Sequence, residues 1–128
     1  MSKRALIIGG SSGIGKATAE SLLNDGVEVH IVGTNNEKLE AFKSSASGNL
    51  ITHKVDITKG GEMSALNNII NGWDNLDYLV NASGIFGPKP FLDHTVADYN
   101  SYMNLNRGFF FITQTAAKKW LRLMEVLL

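Results

Sequence analysis

A short apolar run that breaks into closely spaced glycines constrains this chain more than any other feature: Ala5-Leu6-Ile7-Ile8, then Gly9-Gly10-Ser11-Ser12-Gly13-Ile14-Gly15. Four consecutive apolar residues predict a strand buried on both faces of a parallel sheet. Beyond the glycines, Ile14, Ala17, Ser21 and Leu22 recur at helical spacing, so the turn delivers the chain to a helix start. The free N–H groups and the dipole of such a start favour an anion. Gly9, Gly13 and Gly15 are then positions where a side chain would block a bound phosphate. Glycine also suits a tight turn for backbone reasons alone, so the remainder of the chain has to decide between the two readings.

The remainder alternates. Gly26 ends the first helix, and Val27, Val29, Ile31 and Val32 predict a second strand closed by Gly33. Asn35 or Asn36 caps a helix through Ala41 and Phe42, Leu50 to Val55 is a third strand, and Met63, Leu66, Ile69, Ile70 and Trp73 mark one face of the next helix. Leu76 to Val80 is the fourth strand. Strand–helix units of this size predict an α/β fold, a doubly wound parallel sheet with the ligand crevice at the carboxyl ends of its strands. Gly9, Gly33, Asp56 and Asn81 all fall at such ends, so separate loops line one crevice.

Gly10, Gly15 and Lys16 also fit the spacing of a P-loop for ATP or GTP, but that loop needs a hydroxyl directly after the lysine, where Ala17 stands. Thr18 lies about 100° further round the helix. The full pattern, Gly-x-x-x-Gly-x-Gly, instead resembles the short-chain dehydrogenase/reductase family. So does Leu79-Val80-Asn81-Ala82-Ser83-Gly84, which is similar to the family's Asn-Asn-Ala-Gly motif with Ala82 and Ser83 at its middle places. Asp56, followed by Ile57, stands where the family keeps an aspartate that accepts a hydrogen bond from the adenine amino group. The resemblance runs to about Thr115, with Ile8 where the family usually has Thr. It implies a Rossmann-like sheet of order 3-2-1-4 with a long C-terminal helix, and hydride transfer between a nicotinamide dinucleotide and an alcohol or carbonyl.

By that resemblance the dinucleotide is held by Gly9, Ser11, Ser12, Gly13, Ile14 and Gly15 at the first turn, with its pyrophosphate over Gly13, Ile14 and Gly15. Gly33, Thr34 and Asn35 follow the second strand, Asp56 and Ile57 the third, and Asn81, Ala82, Ser83 and Gly84 the fourth. An acidic residue closing the second strand would take the ribose hydroxyls of NAD; Gly33 has that place, and NADP is favoured over NAD. The family's proton-transfer pair, Tyr-x-x-x-Lys, is absent: Tyr78, Tyr99 and Tyr102 are followed four residues later by Ala82, Met103 and Asn106. No fifth strand supplies the family's Ser. An Asn that positions the catalytic lysine through water matches Asn106 counted from Tyr99, while counting back from Thr113 reaches Leu105 and leaves Asn104 open. The expectation is the dinucleotide-binding portion of such an enzyme, truncated or frameshifted and inactive alone; the alternatives are a P-loop protein, an interaction fragment, or an oxidoreductase completed by a second polypeptide.

With 128 residues, the chain predicts one domain over 1–128. Twelve basic and twelve acidic residues cancel without forming blocks, which argues against nucleic acid and anionic membranes as partners. Zero cysteines exclude thiol chemistry and fit a reducing, cytoplasmic setting. Lys3 and Arg4 precede an apolar stretch far too short for a secretion signal. His30, His53 and His94 lie far apart, and surface or loop positions without chemistry are expected. In the last helix Tyr102, Met103, Phe109, Phe110, Thr113, Ala117, Trp120, Leu121 and Met124 form a stripe that Phe111, Ile112, Leu123 and Leu127 broaden. That band, and Leu79 and Val80 on an open fourth-strand edge, predict a homo-oligomer.

Overall fold

Ala5, Leu6, Ile7 and Ile8 are each at most 2% exposed because they alternate between two cores. Successive side chains of a strand point to opposite faces. Along β1 (Arg4–Ile8), Ala5 and Ile7 enter one apolar cluster with Val29, Ile31 and Leu50. Leu6 and Ile8 enter a second with Val32. Each large side chain so buried contributes about 1.5–3 kcal/mol, and the unbroken apolar run is what a strand covered on both sides requires.

The computed structural model describes residues 2–85 and 87–127. After β1 come α1 (Gly13–Asn24), β2 (Glu28–Gly33), α2 (Asn36–Ser45), β3 (Leu50–Lys54), α3 (Gly60–Asn71), β4 (Tyr78–Asn81) and α4 (Val96–Leu127), with a 3-10 turn at Phe91–Asp93. The strands pair in parallel in the order β3-β2-β1-β4. Ala5 is registered opposite Val29 and Tyr78, and Val29 opposite Leu50. α1 and α2 cover the first core with Ala19, Leu23, Leu39 and Phe42; α3 and α4 cover the second with Leu66, Ile70, Ile112 and Ala116. This is the Rossmann-like α/β arrangement and strand order expected, with the long terminal helix. Gly26, at φ +80, terminates α1, and the Asn35 side chain caps α2 by accepting from the Lys38 N–H at 3.0 Å.

Several faces differ from the sequence expectation. In α1 the residues turned to the sheet are Gly15, Ala19 and Leu23, with Leu22 beside them, whereas Ile14 is 82% exposed and Ala17 and Ser21 are exposed too. The turn decides this: Gly15 has to lie against Gly9, which rotates Ile14 outward. In α4 the buried line is Gly108, Ile112, Ala116 and Lys119, flanked by Phe109 and Trp120, while Met103, Phe110, Leu121 and Met124 of the expected stripe are exposed. The Trp120 indole donates to the Leu76 carbonyl at 2.6 Å and the Lys119 ammonium donates to the Trp73 carbonyl, which sets the rotation of α4 against the end of α3. The side chains of Leu123 and Leu127 lie outside the described residues. Leu79 and Val80 are half-buried against the two cores, although β4 pairs only with β1 among the described residues. His30 and His53 are not surface or loop residues; they lie in β2 and β3 and touch, as described below. Among the described residues, no helix is long and apolar enough to cross a membrane.

Candidate functional site

Parallel strands end together, and here the carboxyl ends of all four open onto one rim. The ladder runs one residue past β1, β4 and β3: Gly9 N–H donates to Val32 O at 2.8 Å, Ala82 N–H to Ile8 O at 2.8 Å, and Val55 N–H to Gly33 O at 3.0 Å. The loops leaving these ends enclose a cavity of about 720 Å³, within the range of small-molecule sites. Ser11, Ser12, Gly13 and Ile14 line it from the first turn, Thr34 and Asn35 from the second, Asp56 and Ile57 from the third, and Ser83 and Gly84 from the fourth. Gly9, Gly33 and Ala82 also reach it, whereas Gly15 and Asn81 do not.

The glycines of the first turn have different reasons to be glycine. At Gly9, φ is +85° and a Cβ would stand 2.8 Å from the Ala82 carbonyl and the Ser83 nitrogen. At Gly15 it would stand 2.1 Å from the Gly9 carbonyl oxygen. At both, the chain's own packing is by itself a sufficient reason for glycine. Gly13 alone of the three, at φ +55°, has nothing within 4 Å of its missing Cβ. Ser12, the N-cap of α1, makes no side-chain cap, and the first intrahelical bond is Lys16 N–H to Ser12 O. The N–H groups of Gly13, Ile14 and Gly15 therefore have no acceptor among the described residues, and the helix start that Gly13 and Ile14 bring to the cavity wall is a positive one.

Asp56 Oδ1 accepts from the Thr58 hydroxyl at 2.6 Å and from its N–H at 2.9 Å. Those bonds, the hydroxyl's first, hold the carboxyl below its ordinary value, so the group is an anion with acceptor capacity facing the cavity. Asn81 acts from behind: its Oδ1 accepts from the Ser83 N–H at 3.1 Å and hydroxyl at 2.5 Å, bracing the turn that Ser83 and Gly84 present.

The structure decides between two pairs of alternatives left open by the sequence and adds one residue, Lys38, that sequence reasoning missed. Asn106 lies outside this cavity, beside Phe109 and Phe110, while Asn104 and Leu105 line it. The cause is Gly108, whose absent Cβ would be 2.4 Å from Ile57 O; α4 approaches the β3–α3 loop there, and Asn104 sits one turn earlier on the same side. An isolated glycine within a helical pattern is the signal that could have found it. Lys38 also lines the cavity, brought there by the Asn35 cap that starts α2. Lys16, which the P-loop reading needs at the phosphate, instead faces Phe42 at 5.4 Å and Glu20 at 4.0 Å, and the Thr18 hydroxyl donates to Ile14 O. Neither lines the cavity, and that reading loses its residues.

The family model for short chain dehydrogenase matches residues 3–125. The chain is 36% identical over 106 residues to the uncharacterized oxidoreductase YvrD of Bacillus subtilis, covering 81% of this chain and 40% of that protein. A crystal structure of a short chain dehydrogenase from Bacillus anthracis superposes with TM-score 0.82 at 30% identity, covering 94% of this chain and 50% of the other. Actinorhodin polyketide ketoreductase with NADPH shares the fold at TM-score 0.82 and 24% identity, covering 92% and 47%. The chain thus spans about half, or less, of the length of these relatives.

Proposed function

Because this chain belongs to the short-chain dehydrogenase family, we propose that residues 1–128 act as one dinucleotide-binding unit whose cavity takes NADP in preference to NAD. The carrying observation is that loops from four strand ends meet at a single cavity that the uncapped start of α1 helps to line. The N–H groups of Gly13, Ile14 and Gly15 would hold the pyrophosphate. Asp56 would accept from the adenine amino group through the oxygen that Thr58 leaves free. Gly33, Thr34 and Asn35 bring no carboxylate to the adenosine ribose, and Lys38 in the adjoining turn supplies a cation for a 2′-phosphate.

Bound NADPH supplies a hydride to a carbonyl in the family reaction. No Tyr-x-x-x-Lys pair, and no fifth strand to bear the family's substrate-orienting Ser, occurs in these 128 residues, so binding without turnover is the proposed behaviour of the chain by itself. Asn104 replaces Asn106 as the helix asparagine directed at the cavity. Cytoplasmic residence and self-association through the exposed face of α4 complete the reading.

Isothermal titration with NADPH, NADH and ATP tests it. NADPH is expected to bind tightest, and Lys38→Ala to cut its advantage over NADH by about tenfold, the worth of one exposed charge-assisted contact. Magnesium-dependent ATP binding stronger than either dinucleotide would overturn the assignment, and steady turnover of any alcohol or carbonyl by the purified chain would overturn the reading of binding without turnover.

A further inference from the structure

The polar cluster across β1, β2 and β3 lies away from the cavity and is unused by the proposed function. His30, 6% exposed, places Nε2 3.0 Å from Glu28 Oε2 and Nδ1 2.8 Å from His53 Nε2. The two imidazoles are nearly parallel, 14° apart, and the Trp73 ring covers His30 at 4.4 Å. Every charged neighbour is identifiable. Arg4 of β1 pairs with Glu28 and lies over the Trp73 ring at 5.2 Å; Asn49 donates to the other Glu28 oxygen at 3.2 Å. Asp77 accepts from the Arg4 N–H, and Lys119 of α4 donates to the Trp73 carbonyl.

These partners determine the tautomers. Glu28, held below its ordinary carboxylate range by Arg4, is an anion and only accepts, so His30 Nε2 carries a hydrogen. Neutral His30 then has a bare Nδ1, and His53 must donate from Nε2. One added proton is compatible with the bond: on His30 Nδ1 it reverses the direction of donation, and on His53 Nδ1 it leaves the bond unchanged. A second proton is not. Two imidazolium N–H groups would face each other at 2.8 Å, donor against donor, inside the β2–β3 junction.

We propose that the His30–His53 pair is a proton-operated latch between β2 and the outer strand β3, closed with zero or one proton and opened by the second, which frees the strand leading into Asp56. Burial, the largest cause in each case, holds both histidines below their ordinary value. The sign follows: the latch's contribution is complete above about pH 6.5, where the unfolded histidines are neutral, and is lost on acidification because the opened state binds more protons. β3 forms the sheet's outer margin and its far end turns directly into the cavity wall at Val55, Asp56 and Ile57, so opening would also lower dinucleotide affinity; that link alone rests on the cofactor reading above.

Amide hydrogen exchange at pH 7 and pH 5, corrected for intrinsic rates and referenced to α1, tests the latch in the whole chain. Protection of residues 50–54 is expected to fall at least tenfold, since one proton of difference is worth about tenfold per pH unit. In His53→Gln, whose amide donates to His30 Nδ1 and can flip to accept when His30 charges, the fall should be under about threefold. No fall in the wild type, or an equal fall in the variant, overturns the proposal. Nitrogen-15 spectra of the wild-type imidazoles provide a readout that needs no variant: both rings protonated at Nε2 alone at pH 7 are expected, and independent titration of the two near pH 6.5 overturns it. NADPH titration at pH 7 separates the two readings, because failure to bind there removes the cofactor assignment while the exchange result stands by itself.

Discussion

Alanine at Gly15 and at Gly13, introduced one at a time, separates two duties combined in the first turn. A methyl at Gly15 would stand 2.1 Å from Gly9 O, 2.8 Å from Gly9 C and 3.0 Å from Ala82 Cβ. Non-bonded heavy atoms settle near 3.5 Å, so α1 would have to withdraw from β1 by roughly 1 Å. The nearest obstacle is backbone and cannot rotate aside, which puts the cost at or beyond the upper end of the usual overpacking range, about 3 kcal/mol. For a domain of this size that lowers Tm by about 10 °C or more. At Gly13, with open space and φ +55°, the cost is the left-handed conformation alone, about 1 kcal/mol, or a few degrees. On the dinucleotide reading proposed above, a methyl there would meet the ligand. NADPH at a hundred times its Kd stabilises a competent chain by about 2.7 kcal/mol, and Gly13→Ala should forfeit most of that shift. Thermal unfolding followed by circular dichroism, with and without NADPH, reads both quantities. Equal Tm losses for the two variants, or a full NADPH shift in Gly13→Ala, would refute the division of roles.

Two further outcomes are expected. Asp98 is held down to about 2 by the Lys89 ammonium first and then by Thr95, whose N–H donates to the carboxylate at 2.9 Å. Because the folded value is depressed, its contribution is complete above the ordinary pKa near 3.8 and is lost as pH falls through about 2. Lys89→Met should therefore raise the Asp98 carboxyl titration seen by carbon-13 NMR toward 3.8, and an unmoved titration would show that the pair does not form. Phe110, 63% exposed on α4, carries the self-association reading: Phe110→Glu should reduce the mass seen by light scattering to that of one chain without changing helix content, and a wild type that is monomeric at high concentration contradicts it.

Local periodicity carried much of the architecture. The apolar run at Ala5–Ile8, the Asn35 cap and the glycine that ends α1 each depend on neighbours within a few positions, so strands, helices and their order could be read directly, and with them the strand ends that meet at the cavity. What depends on the distance between remote segments could not. Gly15 is needed because Gly9 lies against it, and that contact turned Ile14 outward against the apparent helical stripe. Asn104 rather than Asn106 reaches the cavity because Gly108 lets α4 settle onto Ile57, and Lys119 and Trp120 lock the helix's rotation from the other end. His30 and His53, twenty-three residues apart, became partners only when β2 and β3 aligned in register. Hydrophobic spacing along a chain specifies which elements form, but the azimuth of a helix and the pairing of buried polar groups are settled by close contacts among elements, which no stretch of sequence contains by itself.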